Sequence, residues 1–163
     1  MGLNKKRLVT YAASLGVILA GLAAATADDL KIGSVNPSSG GLALYGDEVT
    51  RGYELAADWV NSKGGVLGRK VDIIRGNAST PQEGIAAVEQ FVSGDKVDAL
   101  IGTYISAVAS AASEAALNDN KLYWDTNALA QELTERGLPN YIRSGPSANV
   151  FASRQDAPLM SSM

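Results

Sequence analysis

Short apolar runs alternate with longer segments of helical periodicity between residues 28 and 145. The apolar runs predict five β-strands, because each is bounded by polar or glycine-containing turns. The predicted strands are Leu30–Val35, Val71–Arg75, Val97–Ile101, Leu122–Trp124 and Tyr141–Arg143. Strands that alternate with helices form parallel sheets with right-handed crossovers, so the pattern predicts an α/β lobe.

Capping residues and apolar spacing predict four helices between these strands. The first opens at Gly46-Asp47, the third is the Ala-rich segment Ser106–Asn118, and the short fourth spans Gln131–Glu135. The second begins at a capping box, in which Thr80 is the N-cap and Glu83 the N3 residue. The residues predicted to face the core from the first two helices are Val49, Tyr53, Ala56, Val60, Ile85, Val88 and Val92.

The N-terminus has the pattern of a secretory signal peptide. The basic run Lys5-Lys6-Arg7 precedes the apolar segment Leu8–Leu22, and Ala25-Thr26-Ala27 supplies a small-x-small cleavage pattern. A membrane anchor is the alternative, but the apolar segment is short for a span of ~20 residues. We therefore expect cleavage of residues 1–27, a periplasmic mature chain that starts at Asp28, and no stable membrane insertion after cleavage.

Composition excludes several classes of function. The chain has no Cys and no His, so disulfides, thiol nucleophiles, imidazole bases and thiolate zinc sites are ruled out. The formal net charge is −3 and there is no basic stripe, which argues against nucleic acid as a partner. No spacing of carboxylates indicates catalysis or a metal site, so we expect no catalytic residues, no metal and no cofactor.

Polar clusters follow the first, third and fourth predicted strands, whose carboxyl ends share one edge of a parallel sheet, where ligands bind. Ser106 begins a helix there, and its hydroxyl and the N–H groups of Ser106 and Ala107 suit a carboxylate. An ordinary N-cap serine has the same signature. Tyr104, on the same loop, either lines a pocket or packs. Asp125 is either an acceptor for an ammonium group or a solvated loop carboxylate.

Four stretches of the chain occur together in one known family: Tyr45-Gly46-Asp47, Asn61–Gly68, Gly102–Ser106 and Glu132–Gly137. With them the chain resembles the periplasmic solute-binding proteins of branched-chain amino acid (leucine/isoleucine/valine-type) ABC transporters, over Asp28–Gly145. The resemblance implies a parallel-sheet, Rossmann-like, three-layer lobe of a type I periplasmic binding protein. Family members have two lobes and are much longer, so it also implies that this lobe is incomplete and the second lobe absent.

The resemblance also implies roles for particular residues. Ser106 stands where family members hold a ligand carboxylate, and Tyr45 where an aromatic ring contacts the ligand. Ala128 and Leu129 stand where amino-acid binders place a small residue and a threonine that contact the ligand ammonium, with Asn127 beside them. Ala128 keeps a backbone carbonyl for this role, but Leu129 has no hydroxyl. Aliphatic amino acids, amides and aromatic acids therefore all stay open as ligands.

The predicted function is the extracytoplasmic substrate-binding component of an ABC transporter, which binds a small solute between two lobes and delivers it to an inner-membrane permease. The alternative is a ligand-sensing receptor domain of the same fold, and an α/β enzyme is the least favoured candidate. Residues 146–163 are predicted to be an irregular tail produced by truncation or a frameshift. With one incomplete lobe, we expect negligible solute affinity for the isolated chain.

Overall fold

A five-stranded parallel sheet forms the centre of the computed structural model, which describes residues 28–153. The strand order is β2-β1-β3-β4-β5, and every neighbouring pair is parallel. The strands are β1 (Leu30–Val35), β2 (Val71–Arg75), β3 (Ala99–Gly102), β4 (Leu122–Asp125) and β5 (Tyr141–Arg143). The predicted parallel α/β arrangement is confirmed, whereas the predicted signal peptide lies outside the described residues.

Helices cover both faces of the sheet and make three layers. They are α1 (Ala43–Ser62), α2 (Pro81–Gln90), α3 (Ser106–Asn118) and the short α4 (Glu132–Glu135). Helix α1 starts earlier than Gly46, the predicted start, because a 3₁₀ turn at Gly40–Leu42 leads directly into it: the Ala43 N–H donates to the Gly40 carbonyl. Helix α2 continues into a π-helical turn at Phe91–Asp95.

The start of α2 has the predicted capping box, with one difference. The Thr80 hydroxyl accepts from the Glu83 N–H at 3.2 Å, but the Glu83 carboxylate accepts from the N–H of Ser79 at 2.7 Å, not from that of Thr80. Val88 is buried as predicted, whereas Ile85 is exposed. Helix α2 packs on α3 along the line of Gly84, where an added Cβ would lie 2.8 Å from the Val108 side chain, and this close approach turns Ile85 outward.

The buried face of α1 also differs from the predicted one. Gly46, Thr50 and Ala57 are buried, Val49, Tyr53 and Val60 are half-buried, and Ala56 is exposed. The helix is rotated because it passes close to the loop after β1. A Cβ on Gly46 would lie 1.9 Å from the Pro37 carbonyl oxygen, so only glycine fits there.

The main core lies between the sheet and the α2–α3 pair. Its largest fully buried side chains include Leu100 of β3 and Tyr123 of β4, packed with Val88 of α2 and Val108 of α3. Alternate strand residues point to opposite faces, and the register places Ser34, Ile101, Trp124 and Ile142 in one row on the other face. On that face helix α1 packs on β2 and reaches β1 through a hydrogen bond between the Thr50 and Ser34 hydroxyls, but it leaves Trp124 and Ile142 exposed.

The segment after β5 begins differently from the predicted irregular tail. Residues 148–153 are helical, and the Ser147 carbonyl accepts from the N–H groups of Val150 and Phe151. The N–H of Ala148 donates to the Leu129 carbonyl at 2.8 Å, which ties this turn to the loop after β4. Residues 154–163 lie outside the described range, and their origin stays a prediction.

Candidate functional site

The loops after β1, β3 and β4 meet at the carboxyl edge of the sheet, as parallel pairing requires. We call this surface the rim and define it by Tyr45, Tyr104, Ser106 and the loop 126–130. Tyr45 comes from the start of α1, Tyr104 from the β3–α3 connection and Ser106 from the first position of α3. Residues 126–130 belong to the β4–α4 connection. Direct contacts join these three parts of the chain.

Ser106 joins α3 to the loop after β4. Its hydroxyl oxygen accepts hydrogen bonds from the backbone N–H groups of Leu129 and Ala130, each at 3.2 Å. The Ser106 hydroxyl does not cap its own helix, because the N-cap position belongs to Ile105 and carries no side-chain cap bond. The predicted convergence of Ser106 with the Ala128–Leu129 stretch is therefore present, and the simple N-cap interpretation is wrong.

Two aromatic rings join α1 to the β3–α3 loop. The rings of Tyr45 and Tyr104 are stacked, with centroids 5.3 Å apart and an interplanar angle of 22°. Tyr45 is exposed and Tyr104 is half-buried, so the pair presents an aromatic surface to solvent while it holds the two elements together. An offset stack of this kind stabilises by about 0.5–1.5 kcal/mol beyond the area it buries.

The environment of Asp125 differs from both environments predicted for it, an acceptor site for an ammonium group and a solvated loop. Its side chain is fully buried, and its carboxylate accepts from the N–H groups of Asn127 (3.1 Å) and Ala128 (2.9 Å) and from the Tyr141 hydroxyl (2.6 Å). Burial raises the pKa of Asp125, and these hydrogen bonds and the Arg143 charge oppose that rise. Asp125 is thus neither a solvated loop carboxylate nor available to a solute ammonium; it holds the loop in shape.

The other predicted contact residues occupy this same loop or the start of α3. Ala128 is fully buried, Leu129 and Ala107 are exposed, and Asn127 is half-buried with its side-chain oxygen accepting from the Thr126 hydroxyl at 2.6 Å. Leu129 therefore presents an apolar side chain where the family resemblance implied a hydroxyl.

Sequence reasoning missed several residues that fix the rim. The Tyr53 hydroxyl contacts the Thr126 hydroxyl, which ties α1 to the loop after β4, and Arg143 donates to the Ala130 carbonyl. Helical spacing predicts only that the Tyr53 ring faces the core, and it gives no indication of a hydrogen bond at the hydroxyl. Thr103, before Tyr104, is fully buried, and within residues 28–153 its hydroxyl has no hydrogen-bond partner.

A cavity of ≈ 340 Å³ lies beside the rim, on the β2 side of α1. Asn36, Asp47, Thr50 and Arg75 are among its lining residues, and it does not include the stacked tyrosines or Ser106. Within the rim, Tyr45 and Leu129 are exposed to solvent, and Tyr104 and Ser106 are half-buried.

Two further properties concern the described part of the chain only. Between residues 28 and 153, no helix combines the length and the apolar character needed to cross a membrane. The same residues hold no cluster of three or more acidic side chains suited to a metal ion.

Comparisons with known proteins agree on one family. The profile of a family described as "Periplasmic binding protein" matches residues 29–155. The Leu/Ile/Val-binding protein homolog 7 of Brucella suis biovar 1 (strain 1330) is 42% identical over 141 residues, which are 86% of this chain and 35% of that protein. The chain thus spans about a third of the length of the curated relatives that it matches.

Solved structures agree with the fold. The branched-chain amino acid transporter substrate-binding protein LivJ from Streptococcus pneumoniae, in complex with isoleucine, superposes with a TM-score of 0.69 and 27% identity, covering 73% of this chain and 34% of that one. A solute-binding protein from Rhodopseudomonas palustris BisB5, in complex with 3,4-dihydroxybenzoic acid, gives 0.65 and 24% identity over 74% and 32%, which supports the fold alone. The chain therefore belongs to the periplasmic binding protein family, with the type I fold, and its relatives are solute-binding proteins.

Proposed function

We propose that the rim is one wall of a cleft that binds a small solute, in a periplasmic protein that delivers the solute to an inner-membrane ABC permease. The observation that carries this proposal is the convergence of the Tyr45–Tyr104 pair with the Ser106–Leu129 contact at one edge of the sheet. The matched relatives are longer, and the second wall of the proposed cleft corresponds to the part of their length that the match does not cover. Closure of two such lobes about a hinge then buries the solute.

The hydrogen-bonding state of Ser106 favours a solute with an acceptor group. Its oxygen already accepts hydrogen bonds from two backbone N–H groups, so the hydroxyl can interact with a solute only by donating its proton. The start of α3 adds backbone N–H groups and the positive end of the helix dipole at the same place. A carboxylate is the group that such donors bind best.

The rim offers less to an ammonium group. Asp125, the nearest carboxylate in the loop, is fully buried and occupied by three donors, and Leu129 has no hydroxyl. On this wall an ammonium group would have to use a backbone carbonyl such as that of Ala128. The solute class supported by these contacts is a small carboxylate with an apolar or aromatic body that packs on Tyr45, and amino acids and aromatic acids both belong to it.

The test uses a chimera in which residues 29–155 of this chain replace the matched third of the Brucella suis homolog 7. Thermal unfolding is measured with a panel of branched-chain amino acids, their amides and aromatic acids. A solute at 100 times its Kd stabilises by ~2.7 kcal/mol, which gives a clear shift of the midpoint.

Ser106→Ala should abolish the shift. Ser93→Ala is the matched control, because Ser93 is exposed on the π-helical turn and its side chain, among residues 28–153, bonds only to the Glu89 carbonyl. A folded chimera that responds to no member of the panel, or that responds equally with Ser106→Ala, contradicts the proposed function.

A further inference from the structure

Four consecutive backbone N–H groups in the loop after β4 donate to only two side-chain oxygen atoms. Residues 127 and 128 donate to Oδ1 of Asp125, at 3.1 and 2.9 Å. Residues 129 and 130 donate to the hydroxyl oxygen of Ser106, each at 3.2 Å. Asp125 and Ser106 therefore set the path of the loop together, although only Ser106 belongs to the proposed solute contacts.

The other oxygen of the Asp125 carboxylate is bonded to the neighbouring strand. Oδ2 accepts from the Tyr141 hydroxyl of β5 at 2.6 Å, and among residues 28–153 it has no second donor. A carboxylate whose two oxygens are both bonded is held against rotation, so the Tyr141 hydroxyl also fixes the position of Oδ1. Asp125 is fully buried, and loss of this donor would leave a buried acceptor unpaired.

The ring of Tyr141 is held independently of its hydroxyl. It stacks on the ring of Tyr123, its register partner on β4, with centroids 6.3 Å apart and an interplanar angle of 10°. The guanidinium carbon of Arg136 lies 5.6 Å from the centroid of the Tyr141 ring. These contacts use the ring alone, so Tyr141→Phe should remove the hydrogen bond to Asp125 and leave the ring in place.

We propose that Tyr141 is a positioning residue for the solute site, and that it acts through Asp125 on the loop that Ser106 also holds. The inference rests on the proposed function, because it concerns the geometry of the same rim. A shift of the N–H groups of residues 129 and 130 changes the direction in which the Ser106 hydroxyl points its proton. Tyr141 thereby affects the affinity for the solute without touching it, through hydrogen bonds that all lie inside the described lobe.

The groups around Asp125 allow this connection to be observed directly. Tyr53 of α1, Tyr123 of β4 and Tyr141 and Arg143 of β5 face its carboxylate. Burial raises the pKa of each of the three tyrosines, so they stay neutral and Arg143 is the charge that acts on Asp125. Burial also raises the pKa of Asp125, and the hydrogen bond from Tyr141 opposes that rise. Loss of the Tyr141 hydroxyl should therefore raise the pKa of Asp125 further.

The experiment compares the two stacked tyrosines in the chimera with the Brucella suis homolog 7. Tyr141→Phe removes the hydroxyl that is bonded to Asp125. Tyr123→Phe is the matched control, because Tyr123 is fully buried and its hydroxyl has no hydrogen-bond partner within residues 28–153.

Three quantities are measured in each variant. They are amide hydrogen exchange at residues 127–130, the pKa of Asp125 from its carboxyl carbon resonance, and the Kd of the solute that most stabilises the unchanged chimera. The Kd is measured well below the melting temperature of every variant, so that a loss of stability does not contribute to it.

Tyr141→Phe should accelerate exchange at residues 127–130, raise the pKa of Asp125 and raise the Kd about tenfold, which corresponds to ~1.4 kcal/mol. Tyr123→Phe should leave all three quantities unchanged. Unaltered exchange, pKa or Kd in Tyr141→Phe overturns the proposal, and so does an equal change of Kd in both variants. If no solute stabilises the unchanged chimera, the proposed function fails, and the exchange and pKa measurements still decide whether Tyr141 positions the loop.

Discussion

The hydroxyl oxygen of Ser106 accepts the backbone N–H of Leu129 at 3.2 Å, although 23 residues separate the two in sequence. The same oxygen accepts the N–H of Ala130, so a single side chain holds two donors of the loop after β4. These two hydrogen bonds fasten the loop to the start of α3. The shape of the loop depends on Ser106, the residue whose hydroxyl proton we propose is donated to a solute.

Ser106→Ala should destabilise the lobe, because it leaves two backbone N–H groups without their acceptor. We expect a loss of about 1–3 kcal/mol in the free energy of unfolding, measured by urea denaturation. Amide hydrogen exchange at Leu129 and Ala130 should accelerate more than exchange in β3. Ser93→Ala should stay within about 0.5 kcal/mol of the unchanged chain. Unaltered exchange at both loop amides would show that the hydroxyl does not hold them.

Gly46 and Gly52 lie six positions apart on α1 and should respond in opposite ways to the same substitution. Gly46→Ala places a Cβ 1.9 Å from the Pro37 carbonyl oxygen, so we expect a loss of about 1–3 kcal/mol or more. Gly52→Ala meets open space in a helix interior and should gain about 0.5–1 kcal/mol. Denaturant midpoints at low protein concentration check both. Equal effects of the two substitutions would contradict the close packing of α1 on the loop after β1.

These two glycines also show what the sequence could and could not reveal. Local signals gave the bounds of β1, β2, β5 and α3, because apolar runs and an alanine-rich helix depend little on distant residues. The sequence could not reveal which face of α1 is buried, because the rotation of this helix depends on how closely Gly46 approaches Pro37 in the folded chain. Periodicity alone assigned the buried face to Ala56, which is exposed.

The candidate site, like the fold, could be predicted only in part. The parallel order of the strands was enough to bring Tyr45, Ser106 and Ala128 to one edge of the sheet. The burial of Asp125 was not predictable, because it depends on the hydroxyl of Tyr141 from the next strand. A short polar sequence after a strand looks the same whether its carboxylate faces solvent or the core.

Asp125 should lower stability as the pH rises above its unfolded-state pKa. Burial raises the pKa of Asp125 above the ordinary value of 3.8, so the folded state keeps a proton that the unfolded state has lost. Stability therefore falls between pH 3.8 and the folded-state pKa. Asp125→Asn removes this dependence, and its amide can still accept from Asn127 and Ala128.

The measurement compares the unfolding free energy of Asp125→Asn and the unchanged chain over a pH series. The difference in favour of Asn should grow with pH and then level off. Hydrogen bonds to Arg75 lower the pKa values of the exposed Asp47 and Glu54, so the stabilisation from these two carboxylates is lost as the pH falls. This loss is the same in both proteins and cancels in the difference. A difference that is flat or shrinks with pH would contradict a buried, proton-retaining Asp125.

Leu129→Thr should shift solute preference toward amino acids. The substitution places a hydroxyl on the loop held by Ser106, at the position where the family resemblance implies contact with an ammonium group. In the chimera, we expect the affinity ratio of leucine to an aromatic acid to rise about tenfold, which corresponds to ~1.4 kcal/mol. Isothermal titration of both solutes gives the ratio. Leu67→Thr, in the exposed turn after α1, is the control and should leave the ratio unchanged.

Hydrogen–deuterium exchange of the chimera, with and without a solute that raises its melting temperature, tests the central claim most directly. The account predicts that the solute slows exchange at the start of α1 near Tyr45, at residues 103–107 and at residues 126–130 together, because these three segments form one binding surface. Protection that omits these segments and appears instead around Arg75 and the cavity beside β2 would contradict it.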